Sequence, residues 1–437
     1  MKDFDEALSE ILDTISGPLA AEQIALPEAL GRVLSEPIVA RRTQPPLAVS
    51  AMDGYAVRAG DLPGSLKVTR EIAAGQYDER ALEEGEAVRI FTGAPLPPEA
   101  DAIAIQENAI VIEGGVRFED SLDAGRYVRR AGLDFLEGSE LMPAGHLVRP
   151  RDIAVIAGGN HPWVKVHRRP RIAVVATGDE IRAPGEPLGP AQIVSSNNIA
   201  LAAFIKAQGG EVTDFGTVGD SLSAVEDVAA QLSGFDIVVT TGGASVGKHD
   251  LVAQGFGNRG LDLSFWKIAM RPGKPLIFGH FSSGLFLGLP GNPVSSLILA
   301  LLVLRPMMRR MMSLPTDLPR TTGTLAHDLP ANDQRRDFLR AQRLPDGRID
   351  AGARQDSSML TTLRSADVLL DRPAFDGALK AGDSVRVIDL KVDDYTFQSR
   401  GEKIHAQKCE CVVVSHDPSQ YMMGIVPFEF RNRQAAT

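Results

Sequence analysis

The chain has 437 residues, too many for one ordinary hydrophobic core, so several domains are expected. Hydrophobic residues make up 44% and charged residues 23%, a balance that excludes a disordered chain. Lys and Arg number 46 against 56 Asp and Glu, and the net charge of −10 argues against nucleic acid as the main partner.

The N-terminal MKDFDEALSEILDTI carries acids from the start and lacks the basic-then-apolar order of a signal peptide. Asp3 to Ser16 places Phe4, Ala7, Leu8, Ile11, Leu12 and Ile15 at helical spacing, which predicts an amphipathic helix. Thr43-Gln44-Pro45-Pro46 breaks that pattern. Short β-like runs follow at Ala87 to Phe91, Ala102 to Gln106 and Ala109 to Ile112, separated by Gly and Pro. They predict a small all-β module entered and left by extended linkers.

The pattern changes at Arg171. Ile172 to Ala176 is a continuous apolar run that ends in Thr177-Gly178-Asp179-Glu180. A helix at Asn198 to Gln208, a strand at Val212 to Val218, a helix at Ala224 to Leu232 and a strand at Asp236 to Thr240 follow. Strands apolar on both faces and alternating with helices predict a doubly wound parallel α/β domain, with ligands beyond the carboxyl ends of the strands. Val294 to Leu304 is too short to span a bilayer and reads as a buried helix, so a soluble protein with no membrane partner is expected. After Pro315 short β-like runs resume and end near Leu390. Cys409 and Cys411, the only cysteines, lie in the remaining tail; a disulfide framework is excluded, and a reducing cytoplasm fits.

The fold class expected is therefore α/β plus β, multidomain, with a central doubly wound parallel domain and flanking β-rich modules. Residues 1–44 with 139–168 would form a linker and helical N-terminal module, and 45–138 the small β module. Residues 169–315 would be the α/β domain, 316–390 a C-terminal β-rich domain, and 391–437 a tail with no assigned role.

The densest polar motifs fall at the strand ends. Thr240-Thr241-Gly242-Gly243-Ala244-Ser245-Val246-Gly247-Lys248-His249-Asp250 offers glycines whose exposed N–H groups suit an anion. Gly242 to Lys248 satisfies GxxxxGK, but His249 stands where a P-loop needs Ser or Thr for magnesium. Another anion site is favoured, with a structural loop as the plainer reading. Glu180 with Asp179, Asp220 and Asp250 end three strands; such acids hold a hard cation, move protons, or merely cap helices. Lys267, Arg271 and Lys274 in WKIAMRPGKP favour an anionic ligand, or else form a solvated basic face. Gly288-Leu289-Pro290-Gly291-Asn292-Pro293 follows, with Pro293 suited to a first helical turn.

SAMDGYAV (50–57), FTGAPLP (91–97), VVATGDEI (174–181), TTGGASVGKHD (240–250), WKIAMRPGKP (266–275) and GLPGNPVSS (288–296) occur together and in order. Over roughly residues 1–390 the chain resembles the MoeA family and the related E-domain of gephyrin. The resemblance implies four subdomains, an elongated homodimer and a central domain similar to the molybdopterin adenylyltransferases. It implies a reaction in which molybdate enters adenylylated molybdopterin with magnesium-dependent loss of AMP. Molybdopterin adenylyltransferase and apo-molybdoenzymes or their chaperones are the partners it implies.

Position by position, the resemblance implies roles for Asp53, Thr92, Arg129 and Asp134 in the small β module. In the α/β domain it singles out Glu180, Asp220, Asp250, Lys267, Arg271, Pro290 and Pro293, and in the last domain Ser357. Lys274 and the loop amides of Gly242, Gly243 and Gly247 would orient anions, while Glu180, Asp220 and Asp250 would hold magnesium or deliver protons. Arg271 stands where lysine is common in the family, which keeps the charge and changes the geometry. Two other functions fit less well: a non-catalytic gephyrin-like scaffold, and an adenylyltransferase, whose loop usually reads GGTG where this one reads GGASVG.

Overall fold

Asp3 opens the first helix, Phe4–Asp13, by accepting hydrogen bonds from the N–H groups of Asp5 and Glu6 at 2.8 and 3.3 Å. The computed structural model describes residues 1–243 and 251–390; Gly247, Asp250 and the tail 391–437 lie outside the described residues. Phe4, Ala7, Ile11 and Ile15 are buried, as their spacing predicts, and pack in one core with Met307, Met308 and Met311.

Ala21–Ala25 pairs antiparallel with Trp163–His167, so the chain returns to its starting place after a long excursion. Leu26, Leu34, Ile38, Met142, Val148, Ile156 and Val166 form the core where the two ends meet. From there the outgoing and returning segments run side by side: Ile38–Val39 pairs with Glu140–Met142, and Val49–Ser50 with Val128–Arg129. At the far end lies a six-stranded sheet in the order Ala102–Ile105, Gly54–Val57, Glu86–Ile90, Gly64–Ile72, Gly115–Phe118, Ile110–Ile112. Alternation along its strands sends Val57, Ala87 and Ala102 to one face and Ala56, Val88 and Ile103 to the other. Both buried clusters of this sheet contain residues of this module alone.

A second six-stranded sheet has the order Glu211–Val218, Arg171–Thr177, Ile237–Thr241, Gly284–Leu289, Pro275–Phe281, Leu261–Lys267. The first four strands are parallel, and the last two join antiparallel. The parallel set is the one the sequence predicts, and the hairpin beside it has a physical reason. Only Ser282 and Ser283 separate Phe281 from Gly284, a hairpin connection that cannot carry a parallel crossover. Ser282 sits at φ +54°, in keeping with so tight a turn. Ala173, Val175 and Val238 meet Val225 and Phe256 on one face; Ile172, Val174 and Val239 meet Leu201, Ile205 and Ile298 on the other. Helices thus cover both faces.

The apolar run after Pro293 is helical through Met311, with a π turn at Ala300–Leu304 where Arg305 N–H reaches Ala300 O. Pro306 explains it, since a ring nitrogen without N–H cannot continue the regular ladder. Among the described residues no helix is long and apolar enough to cross a membrane.

The third sheet runs Met270–Arg271, Arg336–Arg343, Val368–Arg372, Ser384–Asp389, Arg320–Thr324, with Ile349–Asp350 beside Arg336–Arg343. Its first strand comes from the WKIAMRPGKP segment. Phe338, Leu369 and Ile388 join the same core as the first helix, and Phe4 meets Phe338 edge-on at 5.2 Å. Arg336 binds Asp371 through two bonds of 2.6 and 2.8 Å and Asp5 at 2.6 Å, tying the first helix to this sheet.

Candidate functional site

Register places the strand ends of the α/β sheet in one row. Thr177 lies opposite Val218, Ala176 opposite Thr241, Thr241 opposite Leu289, Ile277 opposite Gly288 and Lys267 opposite Pro275. The loops beyond them therefore line one edge, from Gly219-Asp220 through Gly178-Asp179-Glu180, Gly242-Gly243 and Pro290-Gly291 to Lys274 and Lys267. Acids sit at one end of the row and lysines at the other.

The first two loops are stitched together. Asp220 N–H donates to Asp179 Oδ1 at 3.0 Å, and Asp179 N–H to Asp220 Oδ2 at 3.4 Å. Glu180 folds its carboxylate over Gly178, whose φ is +144°; a Cβ there would stand 2.6 Å from Glu180 Oε2. The structure thus brings Glu180 and Asp220 to adjoining loops, joined through Asp179. Among the described residues no group of three His, Cys, Asp or Glu is gathered closely enough to hold a metal ion.

Gly242 and Gly243 are required by shape. They take φ of +93° and +61°, and a Cβ would lie 2.3 Å from Thr177 O in one case and 2.4 Å from Val252 Cγ2 in the other. Beside them Asn197 donates to Thr241 Oγ1 and to Gly291 O, each at 2.8 Å, and Thr241 Oγ1 reaches Pro290 O and Ser296 Oγ at 3.2 Å. This network joins the glycine turn to the turn of buried Pro290 and of Pro293, the first residue of its helix. Sequence reasoning missed Asn197 and Ser296, although both are polar residues beside a strand-end turn.

The C-terminal sheet reaches the same place. Ser357 accepts from Asn292 Nδ2 at 3.0 Å through its hydroxyl and from Val294 N–H at 3.2 Å through its carbonyl. The loop carrying Ser357 covers Arg340, a fully buried arginine at 2% exposure. Arg340 Nη2 donates to Asp356 O at 3.1 Å, while Nε and Nη1 are buried without a partner among the described residues. Burial pushes this guanidinium below its ordinary pKa, against the pull of Asp356. The signal for Arg340 was its parity with Phe338, which sends both side chains to the buried face of the strand.

Lys274 is exposed and Lys267 half-buried, the latter with Nζ 5.8 Å from the Trp266 ring. Arg271 is engaged with Asp337, Asp333 and Asn332 of the C-terminal region. That contact raises its pKa, chiefly through the bonds to Asp337.

The remaining residues lie apart, on the small β module. Thr92 donates its N–H and its hydroxyl to Asp53 Oδ1, both at 2.8 Å. Arg89 nearby bonds Gly54 O at 3.3 Å and Gln106 Oε1 at 2.6 Å and stacks on Tyr55 and Phe91. Arg129 pairs with Val49 in the linker ladder, and Asp134 N–H donates to Gln44 O at 3.0 Å; both side chains are exposed. The structure brings Asp53 and Thr92 together. The hydrogen bonds described for this group close within the module and its linkers rather than onto the α/β edge.

Three family descriptions match the chain in succession. They are the MoeA N-terminal region (domain I and II) at residues 2–159, a probable molybdopterin binding domain at 173–310, and the MoeA C-terminal region (domain IV) at 322–390. The molybdopterin molybdenumtransferase of Nostoc sp. is 33% identical over 90% of this chain and 94% of its own length. Molybdopterin molybdenumtransferase 2 of Mycobacterium tuberculosis is 35% identical over 84% of this chain and 94% of its own. A molybdopterin biosynthesis MoeA protein from Pyrococcus horikoshii superposes with a TM-score of 0.79 at 30% identity, covering 89% of this chain and 98% of that one.

Proposed function

This chain belongs to the MoeA family of molybdopterin molybdenumtransferases, and from that premise we propose that its carboxyl edge inserts molybdate into adenylylated molybdopterin and releases AMP. One observation carries the reading: glycine turns, carboxylates and lysines from six strand ends share a single row. Such a row can seat a substrate that is anionic at both the metal oxyanion and the phosphates.

Lys274 and Lys267 supply charge to the molybdate end. Arg340 supports the same role, because two buried guanidinium nitrogens without a partner among the described residues favour an anion that would satisfy them. The backbone of Gly242 and Gly243 admits close approach of phosphate oxygens, and Ser357 offers a hydroxyl beside the turn after Pro290.

Magnesium fits the other end in donor chemistry, since Glu180 and Asp220 present oxygen ligands alone, with Asp250, outside the described residues, as the further oxygen donor the sequence offers. When bound, it would offset the negative charge of the phosphates and favour loss of AMP. Each oxo group that a dithiolene sulfur displaces must take up protons to leave as water. Lys274 is exposed, so solvent can supply those protons at the molybdate end, while the exposed Glu180 and Asp220 serve the phosphate end of the row.

Asp53, Thr92 and Arg129 enter this scheme through a second chain. Their module has its own core and is carried on a two-stranded arm, which supports a homodimer whose cleft pairs one chain's edge with its partner's module. A cytoplasmic setting is proposed from the low cysteine content, and the substrate-supplying adenylyltransferase and molybdenum-receiving enzymes or chaperones as partners. The direct test incubates the protein with adenylylated molybdopterin, magnesium and molybdate. Molybdate-dependent AMP and finished cofactor are expected; AMP formed equally without molybdate would overturn the reading.

A further inference from the structure

Arg271 belongs to the loop that contributes Lys274, yet its guanidinium is already committed. Nε donates to Asp337 Oδ1 at 2.8 Å, Nη2 bonds the other Asp337 oxygen and Asn332 Oδ1 at 3.3 Å, and Nη1 lies 3.5 Å from Asp333. Asp337 is only 2% exposed, and the exposed Arg271 side chain is part of what shields it from solvent. The backbones agree, for Met270–Arg271 pairs in parallel with Arg336–Asp337. Arg335 completes the cluster by binding Asp333 at 2.8 Å. Two arginines and two aspartates sum to no net charge, so an arriving oxyanion gains little attraction there. Lys274, three residues on, is exposed and has no acidic partner among the described residues.

We infer that Arg271 is a strut and Asp337 a positioning residue: together they pin the 271–275 loop to the C-terminal sheet and leave Lys274 as that loop's cation for molybdate. This rests on the reading of the edge as a molybdate site and departs from the expectation that Arg271 itself binds the anion. The Arg271 fork matters for geometry, because a planar guanidinium fixes both carboxylate oxygens at once.

The two roles predict opposite signs for Asp337→Asn. If Arg271 were an anion ligand restrained by Asp337, the variant would free it and lower KM for molybdate. As a strut, its loosening misplaces Lys274, and KM for molybdate rises about three- to tenfold while kcat falls. A cycle of Arg271→Met, Asp337→Leu and the double variant completes the test. Arg271→Met leaves the buried Asp337 carboxylate without its partner and Asp337→Leu loosens the exposed Arg271, whereas the double change replaces the pair by apolar groups. The double variant is expected to recover to within about threefold of the unaltered kcat/KM for molybdate. If it stays as poor as Arg271→Met, the charge of Arg271 is needed and the inference is overturned. Thermal melts of the same four proteins test the pair without the reaction. Non-additive melts support the strut, and additive ones sink it. Absence of molybdate-dependent turnover in the unaltered protein would instead count against the functional reading, while the melts still decide the strut.

Discussion

Thr92 spends both of its local donors on one oxygen of Asp53, N–H and hydroxyl each at 2.8 Å. The arrangement leaves Asp53 Oδ2 outside that pairing, where the arm enters a module whose buried clusters are its own. A carboxylate oriented so firmly on an exposed surface suits a group that must be presented to something beyond the module.

The same bonds make Asp53 more acidic. Thr92 N–H lowers its pKa most, the Thr92 hydroxyl next, and Arg89 adds a smaller pull below the ordinary 3.8. The contribution to stability is therefore present above the ordinary aspartate value and fades as pH falls through the lower folded value. Thr92→Val removes one donor and keeps the other. Carboxyl titration by NMR should show Asp53 shifted up, though still below 3.8; an unchanged titration would remove the hydroxyl from the account.

Glu180→Gln and Asp220→Asn should abolish AMP release while the melt stays near that of the unaltered protein. Both groups are exposed at strand ends, so neither change opens a cavity. Chelation of divalent cations should reproduce the defect, and added magnesium should reverse it. Near-normal single-turnover AMP release in both variants would take these carboxylates out of the mechanism.

Gly242→Ala tests shape rather than charge. Its Cβ would stand 2.3 Å from the Thr177 carbonyl oxygen, a backbone atom that cannot swing aside. A loss of roughly 1–3 kcal/mol is expected from the strained φ and the clash. Denaturant titration checks it, and a loss below about 0.5 kcal/mol would show that the turn can relax.

The strands of the α/β domain were legible because continuous apolar runs such as Ile172 to Ala176 have few other homes. The helix at Leu222–Ala229 begins earlier than its apolar spacing suggested because Ser221 caps it, accepting from Ala224 N–H at 3.2 Å. The antiparallel hairpin at Ser282-Ser283 was missed although Ser-Ser-Gly marks a turn, because apolar runs do not record strand direction. The pairing of Met270–Arg271 with Arg336–Asp337 was not legible, since it joins segments far apart in sequence. The site followed the same division. Motifs at strand ends announced Asp179, Glu180, Asp220 and Gly242, whereas Asn197 and Arg340 acquire meaning from neighbours that only folding supplies.

A shared cleft can be tested by mixing chains. Asp53→Ala and Asp220→Ala should each be inactive alone, yet mixed dimers should regain part of the activity. In a two-fold dimer one of the two clefts then combines an intact edge with an intact module. Failure to recover activity, with exchange of chains shown by light scattering and tagged subunits, would place the whole site within one chain.

Arg340 offers the sharpest separation of stability from function. Its guanidinium is buried, with Nε and Nη1 lacking partners among the described residues, so it carries a desolvated charge that folding alone does not reward. Arg340→Met keeps a long side chain and removes that charge. The variant should melt no lower than the unaltered protein, and a gain of about 1 kcal/mol is expected, because an unsatisfied buried cation costs more than an apolar replacement. Activity should move the other way, with KM for molybdate raised at least about tenfold if one charge-assisted anion contact is lost. Ligand linkage supplies an independent check. Molybdate at about 100 times its dissociation constant should stabilise the unaltered protein by about 2.7 kcal/mol, and the same concentration should do much less for Arg340→Met. A structural arginine would give the reverse pattern: a lower melt in the variant, with molybdate protection intact. That result would return Arg340 to the core of the C-terminal sheet and leave Lys274 to hold the anion without it.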